Sequence, residues 1–196
     1  HCGGNAALQQ AWPGAETAIP PGQAAHVRHW DAYALSYTPT GQQCPRFRFD
    51  TLLQPDTTTL LGDRPWQVHA APGHDTHSVV LFEPHHGILI SGDALWENGF
   101  GVIFPELLGE ADGLTHAQAT LEMLSRLPID IVIPGHGRPF GEVDLAFERA
   151  FRRVNQFRNN FAGQAEKVTA SGSQFYVQRG TTGMVVVNLG GSNASI

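Results

Sequence analysis

The sequence predicts a layered α/β sandwich, and three observations carry that reading. From Phe47 onward, short apolar runs follow one another between Gly, Pro, Asp and Asn. Beyond Thr115, helical apolar stripes alternate with further runs of that kind. The tripeptide Pro-Gly-His also occurs twice, ending at His74 and His136, each time beside an apolar run. Consecutive strands followed by strands alternating with helices bury a sheet face under helices, which is the logic of a layered fold. A chain of 196 residues, 41% apolar and 15% charged, is long and apolar enough for one substantial core.

The elements follow in chain order. "CGGNAALQQAW" reads as a glycine turn into a short helix that stops at Pro13-Gly14. Residues 15–45, rich in Ala, Pro, Gly and Gln, read as irregular, with one helix near "HWDAYALSY". "TTTLLG", "WQVHAAP", "SVVLFEP" and "GILISGD" read as successive strands, with "EPHHG" as a hairpin turn between the last two. "THAQATLEMLSRL" places Ala117, Leu121, Leu124 and Leu127 on one helical stripe with Thr115 as N-cap. "IDIVIPG" reads as a buried strand. "EVDLAFERAFRRVNQF" reads as a second helix with Val143, Phe147, Phe151 and Val154 on its apolar face. "SQFYVQRGTTGMVVVNLGG" reads as a hairpin of two strands joined at Gly180–Gly183.

Charge and cysteine content narrow the function. A net charge of −6 without a basic run gives no electrostatic support for a nucleic-acid or membrane-surface partner. No stretch approaches the roughly 20 apolar residues of a membrane-spanning helix. Cys2 and Cys44 form no CxxC pair, which excludes a thiolate zinc cage and fits a reducing cytoplasm. The first residue is His1 rather than Met, so the chain is expected to be a fragment or processed product.

The chemistry concentrates where strands stop. Pro and Gly end a ladder and turn the chain, so His74 and His136 each project from a sheet edge. "LISGDALW" stops in the same way at Asp93, and His1 precedes the glycines of "HCGG". Three histidines and an aspartate placed so suit a divalent cation such as zinc, manganese or iron. Singly, each has a plainer role: loop histidines are mostly solvated, and an Asp after Ser-Gly is mostly a turn or cap residue. Four repeats of one placement favour the metal. His77 and Asp75 are close enough to His74 in sequence to orient a ligand ring. Trp96, Phe100, Phe104 and Leu107 follow Asp93 and can line a substrate cleft or pack within their own loop. His85 and His86 fall in the hairpin turn, and His26 and His29 share only a common helical spacing.

"APGHDTHS", "ILISGDALW" and "IVIPGHG", in this order, resemble the later motifs of the metallo-β-lactamase superfamily, and most of all its glyoxalase II-like hydrolases. "HCGG" resembles the end of that family's first signature, H-x-H-x-D-H-x-G-G, with His1 as its last histidine. The resemblance covers about residues 1–155. It implies an αββα sandwich and a site for two divalent metal ions, zinc first and iron or manganese next. His74 would bind one ion, His1 and His136 the other, and Asp93 would bridge both. It implies hydrolysis of a small-molecule ester or thioester by metal-activated water, with a lactam less favoured as substrate.

The H-x-H-x-D part of the signature would precede His1, so the chain reads as a sandwich lacking its first strands. An open sheet edge is then expected, and weak metal binding if the chain were the whole molecule. Residues 1–157 are expected to form the partial domain and 158–196 a β-hairpin extension. The last 40 or so residues resemble the carboxyl-terminal β segment of bacterial α-amylases, a match with no catalytic carboxylate and hence no implied glycosidase activity. Two other readings stand beside the hydrolase: a non-catalytic binding module on the same fold, and a diiron oxygen-handling member of the superfamily.

Overall fold

A computed structural model describes residues 3–41, 43–103, 112–161, 165–171, 174–179 and 183–188, with side chains through Arg158 except at 39 and 40. It divides into two units, Gln54–Gln164 and a second made of His1–Leu53 with Ala165–Ile196.

The first unit is a five-stranded sheet with two helices. Its strands are β3 (Thr57–Leu61), β4 (Arg64–Ala70), β5 (Val79–Glu83), β6 (Ile88–Gly92) and β7 (Ile131–Pro134), and they lie side by side in sequence order. Neighbours pair antiparallel until the last pair, where β6 and β7 run parallel. A parallel pair needs a crossover, and the connection between the two contains the helix α4, Gly113–Leu124. The helix α5, Val143–Phe161, follows β7.

Alternation along the strands turns Val80, Phe82, Leu89 and Val132 to one face. There they form one core with Leu121 and Leu124 of α4 and Phe147, Ala150 and Val154 of α5. On the opposite face Leu81 and Ile90 pair across β5 and β6, both half-buried. The strand β7 is a correction to the sequence reading, which made it buried throughout. Only Val132 is buried, while Ile131 and Ile133 are 44% and 39% exposed. The strand ends the sheet, and the helices cover only the face to which Val132 points.

The start of α4 is a second correction. Asp112, at a φ of +79°, turns the chain into the helix, and its carbonyl accepts the N–H of His116 at 2.8 Å. The first turn thus forms before Thr115, which lies within the helix rather than capping it.

The β5–β6 hairpin turns at "EPHHG" as read, and it hides a carboxylate. Glu83 is 1% exposed. Its two oxygens accept the backbone N–H groups of His85 at 2.9 Å and His86 at 3.0 Å, and the His86 ring at 2.7 Å. Burial pushes the Glu83 pKa upward, but those hydrogen bonds outweigh it and hold the carboxyl below its ordinary value. A depressed folded-state pKa stabilises the fold above the unfolded value, near 4.3, and loses that contribution as pH falls through the folded value. Glu83→Gln should therefore lower the melting temperature at pH 7 and shrink the difference between the two proteins as pH falls below about 4. Parallel acid limbs in melting curves for the two proteins would remove this role.

The second unit begins with α1, Asn5–Ala11, after the predicted glycine turn. Two short strands, β1 (Ala18–Ile19) and β2 (Thr51–Leu52), pair parallel. Between them lie α2 (Ala24–His29) and α3 (Tyr37–Thr40), and Ala24 and Val27 of α2 form a small core with Ile19 and Phe47. The expected helix at "HWDAYALSY" is replaced by turns. Trp30 and Ser36 sit at φ of +59° and +65°, so the turn that Asp31 Oδ1 caps, by accepting the N–H groups of Tyr33 and Ala34 at 3.1 and 3.0 Å, does not run on into a helix. At the tail, β8 (Ala165–Ser171), β9 (Gln174–Arg179) and β10 (Gly183–Asn188) form an antiparallel meander. The predicted hairpin is β9–β10; β8 is an additional strand, and α5 extends to Phe161, past the predicted boundary at 157. Among the described residues, no helix is long and apolar enough to cross a membrane.

Candidate metal centre

Three loops leave the sheet beside one another, and each carries one predicted ligand. The β4–β5 loop brings His74. Its Pro72 carbonyl accepts the hydroxyl of Thr120 on α4 at 2.7 Å. At Gly73, φ +148°, a Cβ would stand 2.8 Å from the Cα of Ala117, so the loop lies against α4 with no room for a side chain. The parallel strands β6 and β7 bring the other two. Gly92 and Pro134 are paired at their ends, and the Gly135 N–H donates to the Gly92 carbonyl at 2.7 Å. Asp93 and His136 therefore emerge together at the carboxyl ends of adjacent strands, where open α/β sheets hold their ligands. Each Pro-Gly-His thus works alike: proline ends the run, glycine permits close backbone contact, and histidine faces the site.

The geometry is a chain with the carboxylate in the middle. Asp93 Oδ2 lies 3.2 Å from His74 Nε2, and Asp93 Oδ1 lies 3.6 Å from His136 Nε2. The Asp93 side chain is 13% exposed, His74 20% and His136 50%, so the site opens toward its His136 end. Among the described residues, no three His, Cys, Asp or Glu side chains gather around a single point. The described arrangement offers one histidine on each side of one carboxylate.

The donor chemistry fits a cation on each side. His74 Nδ1 lies 2.6 Å from the Val102 carbonyl, which can only accept, so Nδ1 carries the proton. Nε2, the other ring nitrogen, faces a carboxylate oxygen, an arrangement that a cation between them would satisfy. Zinc–ligand bonds of about 2.0–2.2 Å give tetrahedral edges of about 3.3–3.6 Å, a range that holds the 3.6 Å contact and begins just above the 3.2 Å one.

Asp75 and His77, expected to orient the His74 ring, are joined to each other by a contact from side chain to backbone. Asp75 Oδ1 accepts the backbone N–H of His77 at 2.7 Å, a local turn that leaves both residues exposed. The ring is oriented by Val102, a backbone carbonyl 28 residues away. No residue type announces such a partner in a sequence.

The loop after Asp93 folds back over the site. The Gly101 N–H donates to the Asp93 carbonyl at 2.8 Å. Phe100, read as cleft surface, is 3% exposed and packs in the core, with the Arg153 guanidinium 5.3 Å over its ring. It lines a small pocket that His74 and Asp93 also line. Burial lowers the Arg153 pKa from its ordinary value. Trp96 is half-buried, and its indole N–H donates to Asp93 Oδ1 at 3.1 Å and the Gly92 carbonyl at 3.2 Å. His1, Phe104 and Leu107 lie outside the described residues.

The sheet presents histidine, aspartate and histidine at its strand ends under a helical layer, the arrangement of a layered α/β fold. The family model of the metallo-beta-lactamase superfamily matches residues 1–136, and the chain belongs to that superfamily. The match reaches His136 and leaves the tail outside it. An acyl-coenzyme A thioesterase, MBLAC2 of Gallus gallus, is 31% identical over 125 residues, 64% of this chain and 43% of the relative. The chain spans less than half the length of such curated relatives. Among solved structures, TTHA1623 in a di-iron-bound form is 25% identical with a TM-score of 0.58, over 76% of this chain and 70% of that one. The class B3 di-zinc metallo-β-lactamase LRA-12, from an Alaskan soil metagenome, is 18% identical with a TM-score of 0.60, over 82% and 68%.

Proposed function

We propose that the intact protein is a metal-dependent hydrolase of a small-molecule thioester or ester, working with two divalent ions. The observation that carries this is the Asp93 carboxylate, which turns one oxygen to each of two histidines. His74 and Asp93 would hold one ion, and His136 and Asp93 the other. His1 is proposed as a further ligand on the His136 side, on the strength of its place in "HCGG". Two ions, when bound, lower the pKa of a water molecule and polarise the carbonyl to be cleaved.

The chain's own residues supply orientation and shape. The Val102 carbonyl holds Nδ1 of His74 and so aims Nε2 at Asp93. Loop 93–103, packed through Phe100, closes one wall and leaves the His136 side open for a substrate. The thioester assignment leans on the name of the MBLAC2 relative and on the glyoxalase II-like motifs. Zinc is the first choice of metal and manganese a further candidate. The di-iron form of TTHA1623 keeps iron, and with it oxygen chemistry, as the second reading. Residues 1–157 are proposed as part of the hydrolase domain and 158–196 as an appended β segment.

The test is elemental analysis of the full gene product, followed by release of free thiol from a hydroxyacyl-glutathione and from a series of acyl-CoA thioesters. About two zinc ions per chain and turnover of one series are expected. No uptake of zinc, manganese or iron would overturn the hydrolase and leave a binding module. Colour with bound iron, and no thiol release, would favour the second reading.

A further inference from the structure

We propose that Trp96 is a positioning residue that holds Asp93 in a bridging pose, an inference that rests on the metal site proposed above. The indole N–H reaches Asp93 Oδ1, the same oxygen that faces His136, at 3.1 Å. The indole ring also stands edge-on to the His136 imidazole, with centroids 5.0 Å apart at 64°. One side chain therefore touches the carboxylate and one of its two histidine partners.

The reason a carboxylate needs such a partner is torsional. The terminal torsion of aspartate is broad and two-fold, so by itself it lets the two oxygens trade places or turn together toward one ion. A donor fixed on Oδ1 removes that freedom. It occupies one lone pair of Oδ1, leaves the other toward His136, and leaves Oδ2 toward His74. The carboxylate would then be shared between the two proposed ions.

Trp96 can do this because its own backbone is clamped. Trp96 and Gly99 form a tight antiparallel bridge, with the Trp96 N–H donating to the Gly99 carbonyl at 2.6 Å. Arg149 of α5 donates to the Glu97 carbonyl at 3.1 Å, and Arg153, one helical turn on, covers Phe100. The turn that carries the indole is thus tied to the long helix, outside the metal-ligand set.

Trp96→Phe keeps the ring against His136 and removes only the N–H. Cobalt titration of the full gene product, followed by visible absorption, reads the two ions as successive phases. In Trp96→Phe the second phase should move to about 10- to 100-fold higher cobalt, while the first stays within a factor of about three. Equal titrations of variant and wild type would overturn the proposal, as would equal weakening of both phases, which marks a general loss of structure. The indole N–H resonance of Trp96, compared between wild type and Asp93→Asn without metal, separates the two layers of the inference. A shifted resonance in a protein that binds no cobalt shows that the hydrogen bond exists and the metal reading has failed, and the positioning role falls with it. An unshifted resonance overturns the contact itself.

Discussion

Asp93→Asn should empty the site of metal and reduce hydrolysis by on the order of 10³-fold or more. The size follows from position. Asp93 is the one described group that faces both His74 and His136, so its loss removes a ligand from each ion at once. Each side then keeps a single described donor, and an amide brings no charge to offset two cations. Metal activation of water and carbonyl supplies several kcal/mol to such reactions, and each 1.36 kcal/mol is a factor of about ten in rate. The side chain keeps its shape, so the fold should survive. The variant should also lose the stabilisation that bound metal gives the wild type, about 2.7 kcal/mol when free metal is at 100 times its dissociation constant. His77→Ala is the matched control, because that ring is exposed and its residue is tied into the loop only through its backbone. The measurements are metal per chain, thiol release, and melting temperature with and without zinc. Wild-type metal content in Asp93→Asn would remove the carboxylate from the centre of the site and the proposed mechanism with it.

How far the sequence alone reaches is clearest in the two Pro-Gly-His loops. The strands β4 to β7 and the helices α4 and α5 were legible because period-two and helical apolar patterns record which face is buried, and Phe82, Leu89, Leu121 and Phe147 obey them. The placement of His74, Asp93 and His136 together was legible because each follows a glycine at the end of an apolar run. What supports them was not. Val102 acts through a backbone carbonyl, and Thr120 and Ala117 act across 48 residues or by simple closeness to the loop. Asp75 and His77 were favoured by nearness in sequence, and Asp75 Oδ1 accepts the backbone N–H of His77. Phe100 carried the same ambiguity as any loop aromatic, and packing against α5 settled it toward the core. The helix expected near "HWDAYALSY" stops after a turn, because Trp30 and Ser36 at positive φ interrupt the chain on either side of it.

Gly101 is closely packed against two of the proposed ligands, and its replacement by alanine carries the second large effect. A Cβ there would lie 2.7 Å from His74 Nδ1, 2.8 Å from Asp93 Cβ and 3.1 Å from the Asp93 carbonyl oxygen. None of these neighbours is a flexible chain end. His74 Nδ1 is held by Val102, the residue next to the glycine, and Asp93 is tied by the Gly101 N–H itself. The methyl must therefore push the loop outward, breaking the His74–Val102 bond, or push the histidine away from Asp93. Overpacking of this kind costs about 1–3 kcal/mol. At about 2–4 °C per kcal/mol for a chain of this size, that is a fall of roughly 2–12 °C in melting temperature. Freed from the carbonyl, the ring can turn or change tautomer, and loss of such an outer partner lowers metal affinity by about 10- to 100-fold. The two effects should appear together in Gly101→Ala and be absent in Gly14→Ala, where an added methyl meets nothing within 4 Å. Melting curves and competition for zinc with a chelator measure both. A variant that is less stable but binds zinc normally would place the clash on the fold alone and release His74 from its dependence on loop 93–103; one unchanged in both would show that this loop does not lie against the site.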